Sequence, residues 1–457
     1  MSPTQSSSSV ENPYEVLPVT ASSEASSSDA GPSKTATARK GVLALVDQGL
    51  VSGARFATSI LVGRSCGEQE LGFYSLGFSL LLIATCIQEA LITAPYTVMH
   101  VKKRDAAWSR YNGSVLVHVV LLSVFSFVAF GGAWFANRGN AEAGLTAVLG
   151  CLAISTPFAL LREFARRVEF AHLRLTHSVV VDGAVAALQL SLLGYFAWSN
   201  QLTAGRAVMT IGVSSAAAGL VWLWSVRRTF HPDWREVWTD LASGWRLGRW
   251  MFMAQLTGLI HLQGMIWLIA FWLNPALTGL FAACTTLVQF INPFALGLNN
   301  FISPMTVRTV ADRGLQPARR LVGTAMGLLF LCVLGFTLTM ALTSDTMLGF
   351  ILPKAMPAGQ GGLVFILGLN LAFNAAHMVN DGGLWAVERP QIIFYSSVIA
   401  VVVSGIASIL LIPTWALWGA AVALLIGRIA AASFEAFVFF IVLRPEDVPN
   451  YRGGDSA

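Results

Sequence analysis

The sequence predicts an all-α polytopic membrane protein, with about twelve transmembrane helices in two six-helix bundles around a central cavity. Three observations predict it. The chain is 55% hydrophobic and only 12% charged, with a mean hydropathy of +0.64, whereas water-facing domains carry about 25% charged residues. Its apolar residues gather into runs of about 20, the length of helix that crosses a bilayer. Its lysines and arginines alternate between successive connecting segments, as the positive-inside rule requires.

The runs place spans at 41–63, 71–94, 113–136, 145–162, 179–198, 207–226, 250–273, 278–303, 322–343, 361–385, 392–412 and 416–443. With both termini inside, 23 of the 29 lysines and arginines fall in inner segments and four in outer ones. Arg55 and Arg428 lie within spans. A miscounted span would scramble that alternation, so it predicts a multi-pass protein of the cytoplasmic (inner) membrane with both termini cytoplasmic. The same split explains the net charge of +5 without nucleic acid as a partner.

The domain organisation follows from the spans. Residues 1–40 read as a disordered cytoplasmic tail. The first 33 hold eleven serines and no apolar stretch of a signal peptide. Residues 41–226 form the first bundle, 227–249 a connecting segment, 250–443 the second bundle and 444–457 a short cytoplasmic tail. In the connector, Trp234, Trp238, Leu241 and Trp245 recur at helical spacing, predicting an amphipathic helix on the inner membrane surface. The halves also look related. Leu71-Gly72-Phe73-Tyr74 opens the second span and Leu277-Thr278-Gly279-Leu280-Phe281 the eighth, and each span ends at a proline, Pro95 and Pro304. Parallel repeats of this kind are common in transporters. The five cysteines are scattered without metal-ligand spacing and read as small apolar residues.

Polar residues inside spans face a bundle interior or a water-filled cavity. In the first span, Gln48, Ser52, Arg55 and Ser59 share a helical stripe flanked by Asp47. Asp47 lies about 12 Å along the axis from Arg55, so Arg55 needs a carboxylate from another helix, and Glu89 in the second span is the candidate. Asn370, Asn374, His377 and Asp381 form the cleanest stripe, and His377 and Asp381 sit one turn apart, where they could share a proton. Gln289 and Asn292 mark the eighth span. Asp182 and Gln189 share a face in the fifth, as do Arg428 and Glu435 in the twelfth. His118, alone in the third span, reads as structural. The predicted cavity set is therefore Asp47, Gln48, Arg55, Glu89, Gln289, Asn292, Asn370, Asn374, His377, Asp381 and Arg428. Amides suit sugar hydroxyls, a guanidinium suits phosphate, and the acids suit a proton or Na⁺. Arg162, Arg166 and Arg167, at the inner end of the fourth span, are positioned either to hold a lipid phosphate or simply to set topology. No P-loop, HExxH, GxSxG or CxxC pattern occurs, and no outer segment is long enough to hold an acceptor. The chain therefore reads as a transporter without a cofactor other than a coupling H⁺ or Na⁺.

Residues 45–84, LVDQGLVSGARFATSILVGRSCGEQELGFYSLGFSLLLIA, resemble the N-terminus of the polysaccharide and lipid-linked oligosaccharide flippases, including O-antigen translocases. These belong to the multidrug/oligosaccharidyl-lipid/polysaccharide exporter superfamily. The shared pattern is Asp47-Gln48 near the helix start, Arg64 at its end, the acidic loop Glu68–Glu70 and then Gly72-Phe73-Tyr74. The resemblance implies a V-shaped cavity with alternating access. It also implies export of a lipid-linked oligosaccharide, an undecaprenyl-diphosphate-linked repeat unit, for cell-surface polysaccharide or lipopolysaccharide synthesis. Membrane lipids, a polysaccharide polymerase and glycosyltransferases would be the partners, and Arg55 the residue placed to meet the diphosphate. The sequence leaves a drug or metabolite antiporter, a membrane glycosyltransferase and a non-transporting assembly partner as alternatives.

Overall fold

The computed structural model describes residues 34–100, 105–139, 143–172, 174–227, 230–353 and 359–444. The serine-rich segment 1–33 and the terminal segment 445–457 lie outside them. Fourteen α-helices follow one another: α1 (Lys34–Cys66), α2 (Glu68–Gln88), α3 (Ala94–Met99), α4 (Asp105–Ala136), α5 (Ala143–Ala171), α6 (Leu175–Trp198), α7 (Ala204–Val226), α8 (Trp234–Trp272), α9 (Pro275–Gln289), α10 (Asn292–Arg313), α11 (Leu315–Leu342), α12 (Ser344–Ile351), α13 (Gly361–Ala386) and α14 (Pro390–Phe437). Among the described residues, nine helices are long and apolar enough to cross a membrane. The bent pair α9–α10 makes one more crossing. Helix α14 folds back on itself and supplies two limbs, and α1 has the length of a span although its polar stripe lowers its hydropathy. Counted this way the crossings number twelve.

Several boundaries differ from the sequence reading. Helix α1 begins at Lys34, so residues 34–40 are helical. The fourth span is longer than its apolar run, because α5 continues through Arg162, Glu163, Arg166 and Arg167 to Ala171; ion pairs described below hold those charges inside the bundle. The connector is not a separate helix. Residues 234–249 are the first part of α8, which runs unbroken for 39 residues into the seventh span. Asp233 caps it by accepting from the Arg235 amide at 3.0 Å. The last two spans join through Pro413 and Ala416 (φ 48°, ψ −124°). The limbs then pack so closely that a Cβ on Gly427 would come within 2.6 Å of the Ala400 carbonyl oxygen.

Helices α1–α7 pack mainly among themselves, as do α10–α14; the two sets meet along α2 against α9, and α8 packs on both, against α14 on one side and α2, α4 and residues 89–93 on the other. The α2–α9 seam is reciprocal. A Cβ on Gly72 would collide with the carbonyl oxygen of Pro275, four residues before Gly279. A Cβ on Gly279 would collide with the carbonyl oxygen of Glu68, four residues before Gly72. Equivalent positions of the two repeats thus meet each other, the geometry of a two-fold relation, and only glycine allows backbones so near. The acidic loop before α2 also has a structural task, since Glu70 accepts from the amide of Ala204 at 2.6 Å and caps α7.

Both seam helices depart from α geometry. The second span carries a π-helical turn, Glu89–Thr93, between α2 and α3. The eighth breaks by 46° between Gln289 and Asn292. Such irregular turns re-aim side chains and cluster at functional sites.

Candidate functional site

Among the described residues, two polar clusters stand out inside the helix bundle, one in each half. In the first half, α1, α5, α6 and the π-helical turn bring four acids to four arginines. Arg166 sits between two buried carboxylates, 2.5 Å from Asp47 and 2.9 Å from Asp182. Arg162 pairs with Asp182. Arg167 meets Glu89 at 2.6 Å, and Glu163 bridges Arg166 and Arg167 at 3.3 Å each. Ser178 on α6 donates to Asp47 at 3.3 Å. These pairs persist because a charge in hydrocarbon needs a partner of opposite sign. They correct one sequence expectation. Glu89 is spent on Arg167 rather than Arg55, because the π-helical turn aims it at α5. Arg162, Arg166 and Arg167 are each paired with carboxylates, and Arg167 stays partly exposed.

Arg55 is the remaining arginine of this cluster. It lies two turns beyond Asp47, is exposed, and among the described residues makes no ion pair. Its guanidinium carbon stands 5.5 Å from the centre of the Phe78 ring. Arg55 faces a cavity of about 690 Å³ of empty space, partly open to solvent. Tyr74, Thr85, Arg162, Glu163 and Gln189 share its wall. Gln189 is held by donation to Thr58 at 3.0 Å. This cavity is built from α1, α2, α5, α6 and α7, so it opens within the first half rather than at a central seam. Of the predicted set, only Arg55 lines it. Asp47 is buried behind it, and Gln48 lies 3.5 Å from Ser52 on its own helix.

The second cluster joins α8, α13 and both limbs of α14. His377 stands at its centre, with Nδ1 3.5 Å from Asp381 and Nε2 3.2 Å from Glu435. Ser396 donates to Glu435, and Asn380 does so at 3.4 Å. Arg428 is buried near the same two carboxylates. His261 on α8 meets Ser404 at 3.1 Å. One ligand atom each from His377, Asp381 and Glu435 lie within 4.8 Å of one another, close enough for one small cation. The charges suit one monovalent cation, a proton or Na⁺. Two carboxylates against Arg428 leave one negative charge when His377 is neutral and none when it is protonated. Asn370 and Asn374 lie further along α13, Asn370 buried with an unbonded Oδ1, and among the described residues neither joins the cluster by a hydrogen bond. Gln289 and Asn292 flank the break in the eighth span. There Phe290, the neighbour of Gln289, packs against Phe56 at 5.0 Å, so the break touches the helix that carries Arg55.

Glu163, Asp182 and Glu435 complete these clusters but stand outside the predicted set. Their signal was the shared helix face with Gln189 and with Arg428, and the i, i+3 and i+4 spacing of Glu163 to two arginines. Periodicity identifies an interior face but not the partner across it. His118 is structural, with Nε2 2.8 Å from the Val237 carbonyl oxygen.

No protein-family model and no curated protein matches the chain by sequence. Solved structures do match its fold. An inward-facing multidrug resistance MATE family transporter of the MOP superfamily superposes with a TM-score of 0.74 at 14% identity, covering 86% of this chain and 94% of the other. An outward-facing MATE family transporter gives 0.62 at 12% identity, covering 89% and 94%. The lipid II flippase MurJ, in an inward closed conformation, gives 0.65 at 12% identity, covering 90% and 89%. The chain therefore has the multi-span helical fold of these transporters.

Proposed function

We propose that this chain is an ion-coupled flippase that moves a lipid-linked saccharide across the cytoplasmic membrane by alternating access. The substrate would be an anionic lipid of the undecaprenyl-diphosphate type, exported for surface polysaccharide synthesis. The observation that carries this reading is Arg55. It is exposed to a cavity of mixed polar and apolar lining while every other arginine of its cluster is paired with a carboxylate. Its planar, permanently charged head suits a phosphate, and Tyr74, Thr85 and Gln189 beside it suit hydroxyl groups. The His377–Asp381–Glu435 cluster supplies a place for the coupling proton, its charge balanced by Arg428. The shared fold with a lipid II flippase supports a lipid-linked substrate. The higher TM-score with the inward-facing neighbour than with the outward-facing one supports a cavity loaded from inside. The positive-inside pattern supports an inner-membrane protein with both termini cytoplasmic.

A second reading has one observation in its favour. Glu163 and Asp182 also line the cavity, and acids on a cavity wall suit an antiporter of organic cations. Membrane-lipid mass spectrometry of a strain lacking the protein separates the two. The flippase reading expects accumulated lipid-linked oligosaccharide, reversed by the wild-type chain, partly by Arg55→Lys, and not by Arg55→Ala at equal protein level. An unchanged lipid-linked pool with loss of cationic-dye efflux would establish the antiporter instead.

A further inference from the structure

The first part of α8 carries a surface that neither the cavity nor the proton cluster uses. At about 100° per residue, its side chains separate into four flanks around the helix. Val237, Gly244 and Gly248 form the packed flank. Val237 is 1% exposed, and a Cβ on Gly244 would come within 3.2 Å of the Leu91 carbonyl oxygen. On one side lie the acids. Asp233 and Glu236 stand 4.0 Å and 3.7 Å from Arg110 of α4. On the opposite side lie Trp234, Trp238 and Trp245, which are 70%, 66% and 43% exposed. Next around the helix stand Arg235 and Arg246, both exposed and, among the described residues, in no ion pair.

A water-facing helix does not expose three indoles on one flank, and a hydrocarbon-facing one does not expose unpaired guanidiniums beside them. The two together match the headgroup zone, where indole rings sit at the polar boundary and basic side chains reach phosphate. The acids have been drawn off to Arg110 on the far flank, so the exposed flank is basic. At the neighbouring end of α7, Trp224 is 69% exposed and Arg227 lies over its ring at 3.2 Å, continuing the same Trp and Arg rim.

We propose that the tryptophan and arginine flanks of α8 form a binding face for anionic phospholipid headgroups, in the leaflet from which α8 enters the membrane. The face recognises a negative phosphate diester at a lipid surface. The helix is continuous from Trp234 to Trp272, so lipid held at its start bears directly on the span that supplies His261 to the second polar cluster.

The test uses the full chain in neutral detergent, titrated with short-chain phosphatidylglycerol, short-chain phosphatidylcholine or inorganic phosphate. Thermal stabilisation is followed as a function of concentration. Phosphatidylglycerol is expected to stabilise the protein at lower concentration than phosphatidylcholine, with inorganic phosphate without effect. Each arginine near an anionic surface contributes about fivefold in affinity. Arg235→Gln with Arg246→Gln should therefore raise the half-saturating phosphatidylglycerol concentration roughly thirtyfold, while Arg235→Lys with Arg246→Lys retains most of the response. These positions are exposed, so the variants should elute as the wild type. Equal half-saturation in the wild type and the double Gln variant would overturn the proposal. So would equal responses to the two lipids, and stabilisation by inorganic phosphate alone would reassign the site to a free anion.

Discussion

Arg166 offers the sharpest test of how the first half is held together. Its guanidinium lies between Asp47 on α1 and Asp182 on α6, whose side chains are each 1% exposed. With charge centres about 4 Å apart and an effective dielectric near 20, each attraction amounts to about 4 kcal/mol before desolvation. Arg166→Met leaves Asp182 with Arg162, but it leaves Asp47 with only the Ser178 hydroxyl. Removing one partner of a buried ion pair costs about 3–5 kcal/mol, chiefly through the charge left behind. The variant should therefore unfold at a markedly lower temperature in detergent, followed by intrinsic fluorescence. Asp47→Asn added to Arg166→Met removes the orphaned charge and should recover most of the loss. Arg166→Lys should fall between, because one ammonium cannot bridge both carboxylates with the geometry of a guanidinium fork. A single variant within about 1 kcal/mol of the wild type, or a double variant no better than the single, would refute the reasoning.

Other positions give independent checks. Gly279→Val should cost at least about 1–3 kcal/mol, because its side chain meets the Glu68 carbonyl oxygen across the seam; Gly131→Ala on α4, where a Cβ meets nothing within 4 Å, should be neutral or stabilising in the same melting assay. Ala416 adopts the positive-φ conformation of the first central residue of a type II′ turn, which favours glycine. Ala416→Gly should raise stability by about 1 kcal/mol in chemical denaturation, and a loss would show that this turn is not strained. Glu435→Gln mimics the protonated acid, removing the charge that His377 and Arg428 neutralise. In proteoliposomes it should abolish transport driven by a pH gradient while leaving substrate binding within a few fold, and full gradient-driven transport would exclude this cluster from coupling.

The class of molecule is legible in the amino-acid sequence alone. Apolar runs of bilayer length, scarce charge and alternating basic loops follow from hydration free energies alone. They are legible one segment at a time because each helix satisfies its own backbone in lipid. The paired Gly72 and Gly279 motifs, the stripe on α13 and the exceptional character of Arg55 were visible for the same reason, as departures from a helix that lipid would otherwise dictate. Tertiary structure decided which polar residues find one another. A π-helical turn sends Glu89 to Arg167 and leaves Arg55 facing the cavity, and a fold-back at Ala416 carries Glu435 to His377 across 58 positions of sequence. The continuity of α8 across its amphipathic and apolar parts was likewise undetermined, since a change in hydropathy marks where the membrane begins but not where a helix ends. An ion pair in a low-dielectric interior depends on distances of a few ångströms between separate helices, and the periodicity of one helix records only which way its side chains face.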